Sequence, residues 1–199
     1  SNKVISIVTT TYQDVEHLKK VVEGIKKQDY PRIEYIIVDG GSKDGTVDYL
    51  KELEKDFSYG WPERRVRWIS EKDEGIYDAL NKGIRMATGD LIGPMFDQFA
   101  NSHVLSDMVS VIEEEGSDGV HGDLYYVDEE ENPVREWKMG NTKTIRDGWM
   151  PAHPTLYLKK EVYDRFGVYK TDYRIAADYE YMIRILKNND VRLSYIPRV

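Results

Sequence analysis

Two short β-branched runs, VISIV at 4–8 and EYIIV at 34–38, each end in polar turn residues, and between them Val15, Leu18, Val21, Val22 and Ile25 recur at helical spacing. Strand, helix, strand is the unit of a parallel sheet, because a parallel neighbour needs a long crossover and a helix supplies it. Asp14 stands where a capping side chain would start that helix. The unit then repeats: a helix from about Thr46 with Val47, Leu50 and Leu53, a strand VRWIS at 66–70, a helix from about Gly75 with Ile76, Tyr77, Leu80 and Ile84, and a strand DLIG at 90–93. Such alternation predicts an α/β fold, a Rossmann-like and mostly parallel sheet covered by helices on both faces.

Beyond His103 the pattern changes. A helix carrying Val104, Leu105, Met108, Val111 and Ile112 leads to GVHGDLYYV at 119–127, and the acidic turn DEEENP at 128–133 separates it from VREWK at 134–138. Asn132-Pro133 in that turn reads as a hairpin, so antiparallel strands are expected to join the parallel set. A loop around 139–148, a strand near TLYLK at 155–159, a short helix, a helix over 176–187 and a final strand VRLSYI at 191–196 complete the chain. At 199 residues, 40% of them hydrophobic, the whole of 1–199 is expected to form one domain around a real core. There is no internal repeat and no low-complexity linker.

Several function classes fall away. The formal net charge is −8 and no Lys/Arg block marks a nucleic-acid footprint, so polymeric DNA or RNA is not an expected partner. With no cysteine, neither disulfides nor thiolate metal sites arise, which fits a reducing, cytoplasmic compartment. No apolar run has the length of a membrane span, and SNKVIS is not a signal-peptide pattern. The position after the first strand reads TTTYQD rather than G-x-G-x-x-G, and no G-x-x-x-x-G-K-[ST] occurs, so nicotinamide-dinucleotide and P-loop chemistry are not expected.

Ligands of open α/β sheets bind beyond the carboxyl ends of the strands. Four consecutive strand ends carry the unusual polar residues: TTTYQD at 9–14, DGGSKDGT at 39–46, SEKDEG at 70–75, and Asp97 in GPMFDQFANSH at 93–103. Each has a bland reading. DGGSKDGT could be a turn and helix cap, and Tyr12 a packed aromatic. Their convergence on one edge is what points to a site.

Five blocks in order, IVTTTYQD, IIVDGGSKDGT, SEKDEGIYDALNKGIRMATGDLIG, MPAHPTLYLKKEVY and IAADYEYMIRIL, resemble the family-two glycosyltransferases with the A-type nucleotide-sugar fold, of the kind found in bacterial polysaccharide and cell-envelope gene sets. The resemblance spans Val4 to Pro197. It implies an inverting transfer of a sugar from a nucleoside diphosphate, usually UDP, to a saccharide or lipid-linked acceptor, with about 1–100 binding the nucleotide sugar and about 101–199 the acceptor. Thr11 and Tyr12 match the loop against the base, and Asp39 the carboxylate that accepts from the base, which suits an imide N–H. Ser42, Lys72, Asp73 and Asn81 complete the implied donor side, with a solvated helix face as the lesser reading of Asn81 and Lys82. Asp178 falls where the family carries its general base. In the family's common Glu-Asp pair the first acid is Ala177 here, and an N-cap role for Asp178 is compatible with the catalytic one. Trp137, Trp149 and His153 are the acceptor-side candidates; Trp137 could as well be core, and His153 a loop-fixing residue before proline.

At Asp97 the chain departs from the family. Members usually carry two nearby acids after the fourth strand, which bind Mn²⁺ or Mg²⁺ bridging the diphosphate. Here PMFDQFA holds one, which suffices where substrate phosphates complete the shell. Either the second acid has become Gln98 or Phe99, or residues present in relatives are missing from this loop. A catalytically weak nucleotide-sugar-binding domain with a degenerate metal motif is therefore the alternative function. An α/β signalling receiver, the third reading, is opposed by the HPT and ADY blocks. Members also commonly continue past YIPRV into helices that cover the site or contact membrane, so peripheral membrane association is a further implied partner call, and that extension is expected to be absent here.

Overall fold

A computed structural model describes residues 1–122, 124–127, 133–137, 156–172, 177–187 and 190–197. The first half follows the alternation read from the sequence: β1 (Ile5–Thr11), α1 (Val15–Lys26), β2 (Ile33–Asp39), α2 (Thr46–Asp56), β3 (Arg65–Ser70), α3 (Ile76–Met86) and β4 (Leu91–Pro94). Asp14 does cap α1, accepting the His17 N–H at 3.2 Å. Then come α4 (Val104–Glu115), β5 (Gly119–Gly122), β6 (Leu124–Val127), β7 (Pro133–Trp137), β8 (Tyr157–Lys159), α5 (Lys160–Phe166), α6 (Ala177–Leu186) and β9 (Leu193–Ile196).

Seven strands form one sheet in the order β3-β2-β1-β4-β8-β5-β9. β1 to β4 are parallel, β5 and β9 are parallel, and β8 runs antiparallel to both of its neighbours, β4 and β5. Alternate residues of each central strand enter opposite layers. Ile5, Ile7, Ile33, Tyr35 and Ile37 pack with α1, α2 and α4 through Leu18, Val22, Leu50, Leu53, Leu105 and Met108. Val8, Ile36 and Val38 pack with α3, α5 and α6 through Leu80, Ile84, Val162, Tyr181 and Ile185.

Two details of the second half differ from the sequence reading. GVHGDLYYV is not one strand: it divides into β5 and β6, and among the described residues β6 pairs with β7 in a separate two-stranded sheet. The hairpin is therefore real but is not what adds antiparallel character to the main sheet. β8 does that, seated between β4 and β5 because two glycines make room. A Cβ on Gly93 would lie 2.3 Å from the Tyr157 ring, and one on Gly119 would lie 2.6 Å from the Tyr157 carbonyl. Among the described residues no helix is long and apolar enough to cross a membrane.

Candidate functional site

The register of the parallel strands sets Thr11 beside Asp39 and Asp39 beside Ser70, at the carboxyl ends of β1, β2 and β3. Backbone bonds extend this row by one step: Gly40 N–H donates to the Thr11 carbonyl at 2.9 Å, and Glu71 N–H to the Asp39 carbonyl at 3.0 Å. Three of the four strand-end stretches, distant in sequence, are thereby brought to one edge.

Asp39 lies at the centre of that edge. Its Oδ2 accepts the Ser42 N–H at 2.9 Å and the Ser70 hydroxyl at 2.7 Å, and its Oδ1 accepts the Ser42 hydroxyl at 2.5 Å. A carboxylate offers about four lone-pair positions, so roughly one is left, on Oδ1. Asp39 has no exposed surface.

Tyr12 is 65% exposed, which makes it one of three exposed large hydrophobic residues among those described. Its ring edge lies against Gly40: a Cβ there would be 3.2 Å from Tyr12 Cδ1 and 2.9 Å from Asp73 Oδ2. Gly40 is thus a place where only a missing side chain lets an aromatic ring and a carboxylate flank the same backbone. Asp73 also accepts the Gly75 N–H at 3.0 Å, which shapes the turn into α3. Lys72 is exposed, and its carbonyl accepts from Lys82 Nζ at 3.1 Å.

Asn81 is placed otherwise. It is 2% exposed, its Nδ2 donates to the Tyr169 carbonyl at 2.7 Å and its Oδ1 accepts the Tyr169 N–H at 2.9 Å. It lies on no solvated face, and its amide is engaged in tying α3 to the segment after α5. The Tyr169 ring contacts Tyr77 in the first turn of α3 at 5.6 Å and Tyr181 in α6 at 4.6 Å. Through these two tilted ring contacts Tyr169 bridges α3 and α6. Asp178 is the second residue of α6, so it occupies the first turn rather than the cap; its side chain lies outside the described residues. The backbone of Trp137 ends β7 and its side chain is likewise outside, as are Trp149 and His153 entirely.

Asp97 follows a firmly held segment. Met95 N–H donates to the Val8 carbonyl at 2.9 Å, the Thr9 hydroxyl to the Met95 carbonyl at 2.7 Å, and the Tyr157 hydroxyl to the Pro94 carbonyl at 2.8 Å. Burial holds the Tyr157 phenol well above its ordinary pKa, so it stays a neutral donor. His17 Nε2 lies 2.7 Å from the Phe96 carbonyl. Asp97 itself is exposed and makes no hydrogen bond or ion pair with any described residue. No cluster of three acidic, His or Cys side chains that could hold a metal occurs among the described residues. One free carboxylate fits a hard divalent cation whose other ligands are water and substrate phosphates, and does not fit a cage built by protein alone. A groove of about 410 Å³ lies behind this loop, against α1, lined by Lys20, Gly24, Gln98, Phe99 and Asn101, and neither Tyr12 nor Asp73 lines it.

Three contributors went unnoticed in the sequence: Ser70, Gly40 and Gln13. Ser70 and Gly40 stand within the quoted strand-end motifs, but their roles depend on partners about thirty residues away. Gln13 has φ 52°, a value no sequence pattern announces for glutamine.

The model of the family "Glycosyl transferase family 2" matches residues 6–170. The uncharacterized glycosyltransferase Rv1514c of Mycobacterium tuberculosis is 31% identical over 192 residues, covering 92% of this chain and 69% of the relative. Among solved structures, S. aureus TarS superposes with a TM-score of 0.77 at 18% identity over 98% of this chain, which spans 35% of TarS. Its 1–349 portion was solved in complex with UDP-GlcNAc. The mannosyltransferase PcManGT of Pyrobaculum calidifontis, in complex with GDP-Man and Mn²⁺, has a TM-score of 0.71 at 19% identity, over 99% of this chain and 55% of its own. Both likenesses establish the shared A-type fold.

Proposed function

The chain belongs to glycosyl transferase family 2, and from that premise we propose that it is an inverting enzyme that transfers a sugar from a UDP-sugar to a saccharide or lipid-linked acceptor. The observation that carries this reading is the strand edge at which the Tyr12 ring and the Asp73 carboxylate flank the bare backbone of Gly40, next to Asp39 in the chain. Tyr12 supplies an exposed ring for a nucleobase to lie against, and Thr11, Ser42, Asp73 and Lys72 supply donors and acceptors for ribose and diphosphate. The single free position on Asp39 Oδ1 suits the lone imide N–H of uracil. Guanine presents two adjacent donors and asks for both carboxylate oxygens, of which Oδ2 is already engaged.

In the proposed reaction Asp178 takes the proton from an acceptor hydroxyl. The acceptor oxygen attacks C1 of the sugar from the face opposite the leaving group. The bond from C1 to the diphosphate oxygen breaks as the new glycosidic bond forms, and its electron pair leaves with the nucleoside diphosphate. A positioned base is worth about 10²–10⁴-fold in such a step. Asp97 would hold a Mn²⁺ or Mg²⁺ ion, which when bound supplies charge stabilisation to the departing diphosphate. Trp137, Trp149 and His153 remain the acceptor-side proposals, and Asn81 serves the donor indirectly by fixing the Tyr169 segment.

Release of UDP from a UDP-sugar in the presence of Mn²⁺ and acceptor tests this. Asp178→Asn is expected to abolish transfer while the UDP-induced rise in Tm persists. Turnover that survives the change would remove Asp178 as the base. The second reading, a nucleotide-sugar-binding domain without transfer, is favoured by one observation, the solitary Asp97. It predicts that UDP binds with no dependence on Mn²⁺ or on Asp97→Ala.

A further inference from the structure

Gln13 is the one residue other than glycine with a positive φ among those described, at 52°. That left-handed conformation is uncommon for a side chain of this kind and persists only where surrounding contacts over-determine it. Here they do. The Gln13 N–H donates to Ser42 Oγ at 2.7 Å, and Gln13 Oε1 accepts the Lys43 N–H at 2.5 Å. One residue later in the β1–α1 loop, Asp14 caps the helix, and Val15 N–H donates to Asp44 Oδ2 at 3.0 Å. The loop after β1 is thus fastened to the loop after β2 by both the backbone and the side chain of Gln13. The same Ser42 hydroxyl that accepts from Gln13 donates to Asp39 Oδ1.

The residue immediately before this turn is Tyr12, whose ring stands 65% exposed with its edge at Gly40. An exposed ring on a free loop would sample many directions. The Gln13 clamp limits those directions by fastening the turn that follows the ring, which lies with its edge at Gly40. We propose that Gln13 is a positioning residue for donor recognition: it holds a strained turn that presents Tyr12 to the nucleobase and locks Ser42 against Asp39. This rests on the donor-site reading above.

Gln13→Gly removes the bond to Lys43 and leaves the turn free to form, whereas Gln13→Ala removes the bond and keeps the steric cost of positive φ. Gln13→Asn restores a side chain that tolerates this conformation. With UDP and Mn²⁺ as ligands, Gln13→Ala is expected to weaken binding about tenfold. In turnover it should raise donor KM with kcat at saturating donor unchanged, and Gln13→Asn should recover part of the loss. Unchanged UDP affinity and donor KM in both Gln13→Ala and Gln13→Gly would overturn the proposal. A ligand-free readout separates it from the function itself: the Lys43 amide should be protected from hydrogen exchange in the wild type and lose protection in Gln13→Ala. If the wild type binds no UDP, the donor-site reading and the recognition role fall together, while Lys43 protection still decides whether the clamp exists. Equal exchange at Lys43 in both proteins would refute the clamp whatever UDP does.

Discussion

Ser42 donates to Asp39 twice, through its backbone N–H at 2.9 Å and its hydroxyl at 2.5 Å, and so closes the turn after β2 over a carboxylate with no exposed surface. Ser70 donates to the same carboxylate from β3, which makes Asp39 a clip across two loops as well as a candidate ligand group. Asp39→Ala leaves the Ser42 N–H and the Ser70 hydroxyl without an acceptor, at about 1–3 kcal/mol for each group that stays buried. Urea unfolding should show that loss, and UDP binding should disappear with it. Ser70→Ala removes only one bond and is expected to cost about 1 kcal/mol while binding is retained.

At the opposite end of the same strands, Glu34 in β2 is fully buried and accepts from the Ser6 hydroxyl, the Thr88 N–H and hydroxyl, and the Arg65 guanidinium. Burial pushes this carboxyl up, but the bonds from Thr88 and Ser6 and the charge of Arg65 outweigh it and hold the carboxyl below its ordinary value. Glutamate in an unfolded chain titrates near about 4.3. A folded value below that gives stability that is complete above it and is lost as pH falls through the folded value. Glu34→Gln should therefore lower Tm at neutral pH, and the gap to wild type should narrow as pH falls below the ordinary carboxyl range. A gap independent of pH would show that the carboxylate's charge contributes nothing.

Arg64 is 3% exposed and donates to the carbonyls of Lys26 at 3.0 Å, Tyr30 at 2.8 Å and Gln28, with its guanidinium 4.2 Å from the Trp61 ring. Burial lowers its pKa to about 10, so it remains charged at neutral pH. Through Gln28, whose amide meets the Asn101 carbonyl at 2.5 Å and the Leu105 N–H at 3.1 Å, it steadies the far end of the Asp97 loop. Arg64→Met is expected to cost about 2–4 kcal/mol in chemical denaturation, because carbonyls gathered by one group lose it together. Arg64→Lys should not restore the stability, since an ammonium cannot span the same set of acceptors.

What the sequence made legible follows the reach of its signals. Val15, Leu18, Val22 and Ile25 repeat at helical spacing within a dozen residues, and α1 forms there with Asp14 as its cap. The edge where Thr11, Asp39 and Ser70 align could be foreseen because parallel strands put all their carboxyl ends on one side. The position of β8 could not: it depends on Tyr157 fitting against Gly93, which is more than sixty residues distant, and no local period encodes that fit. Asn81 shares the limit, since its burial is set by Tyr169, far along the chain. Gln13 shows a third kind of gap, in which a residue with no distinctive signal acquires its conformation from Ser42 and Lys43.

Tyr12 and Asp73 meet at the bare backbone of Gly40. A Cβ at this position would stand 2.9 Å from Asp73 Oδ2 and 3.2 Å from Tyr12 Cδ1, so Gly40→Val must push both groups aside. Calorimetric titration of the wild type and of Gly40→Val with UDP and Mn²⁺ tests the proposed donor site directly, with Tm as the control for folding. The account predicts saturable one-to-one binding to the wild type and its loss in a Gly40→Val protein that remains folded. No heat from the wild type with any nucleoside diphosphate, or equal affinity in the two proteins, would contradict it.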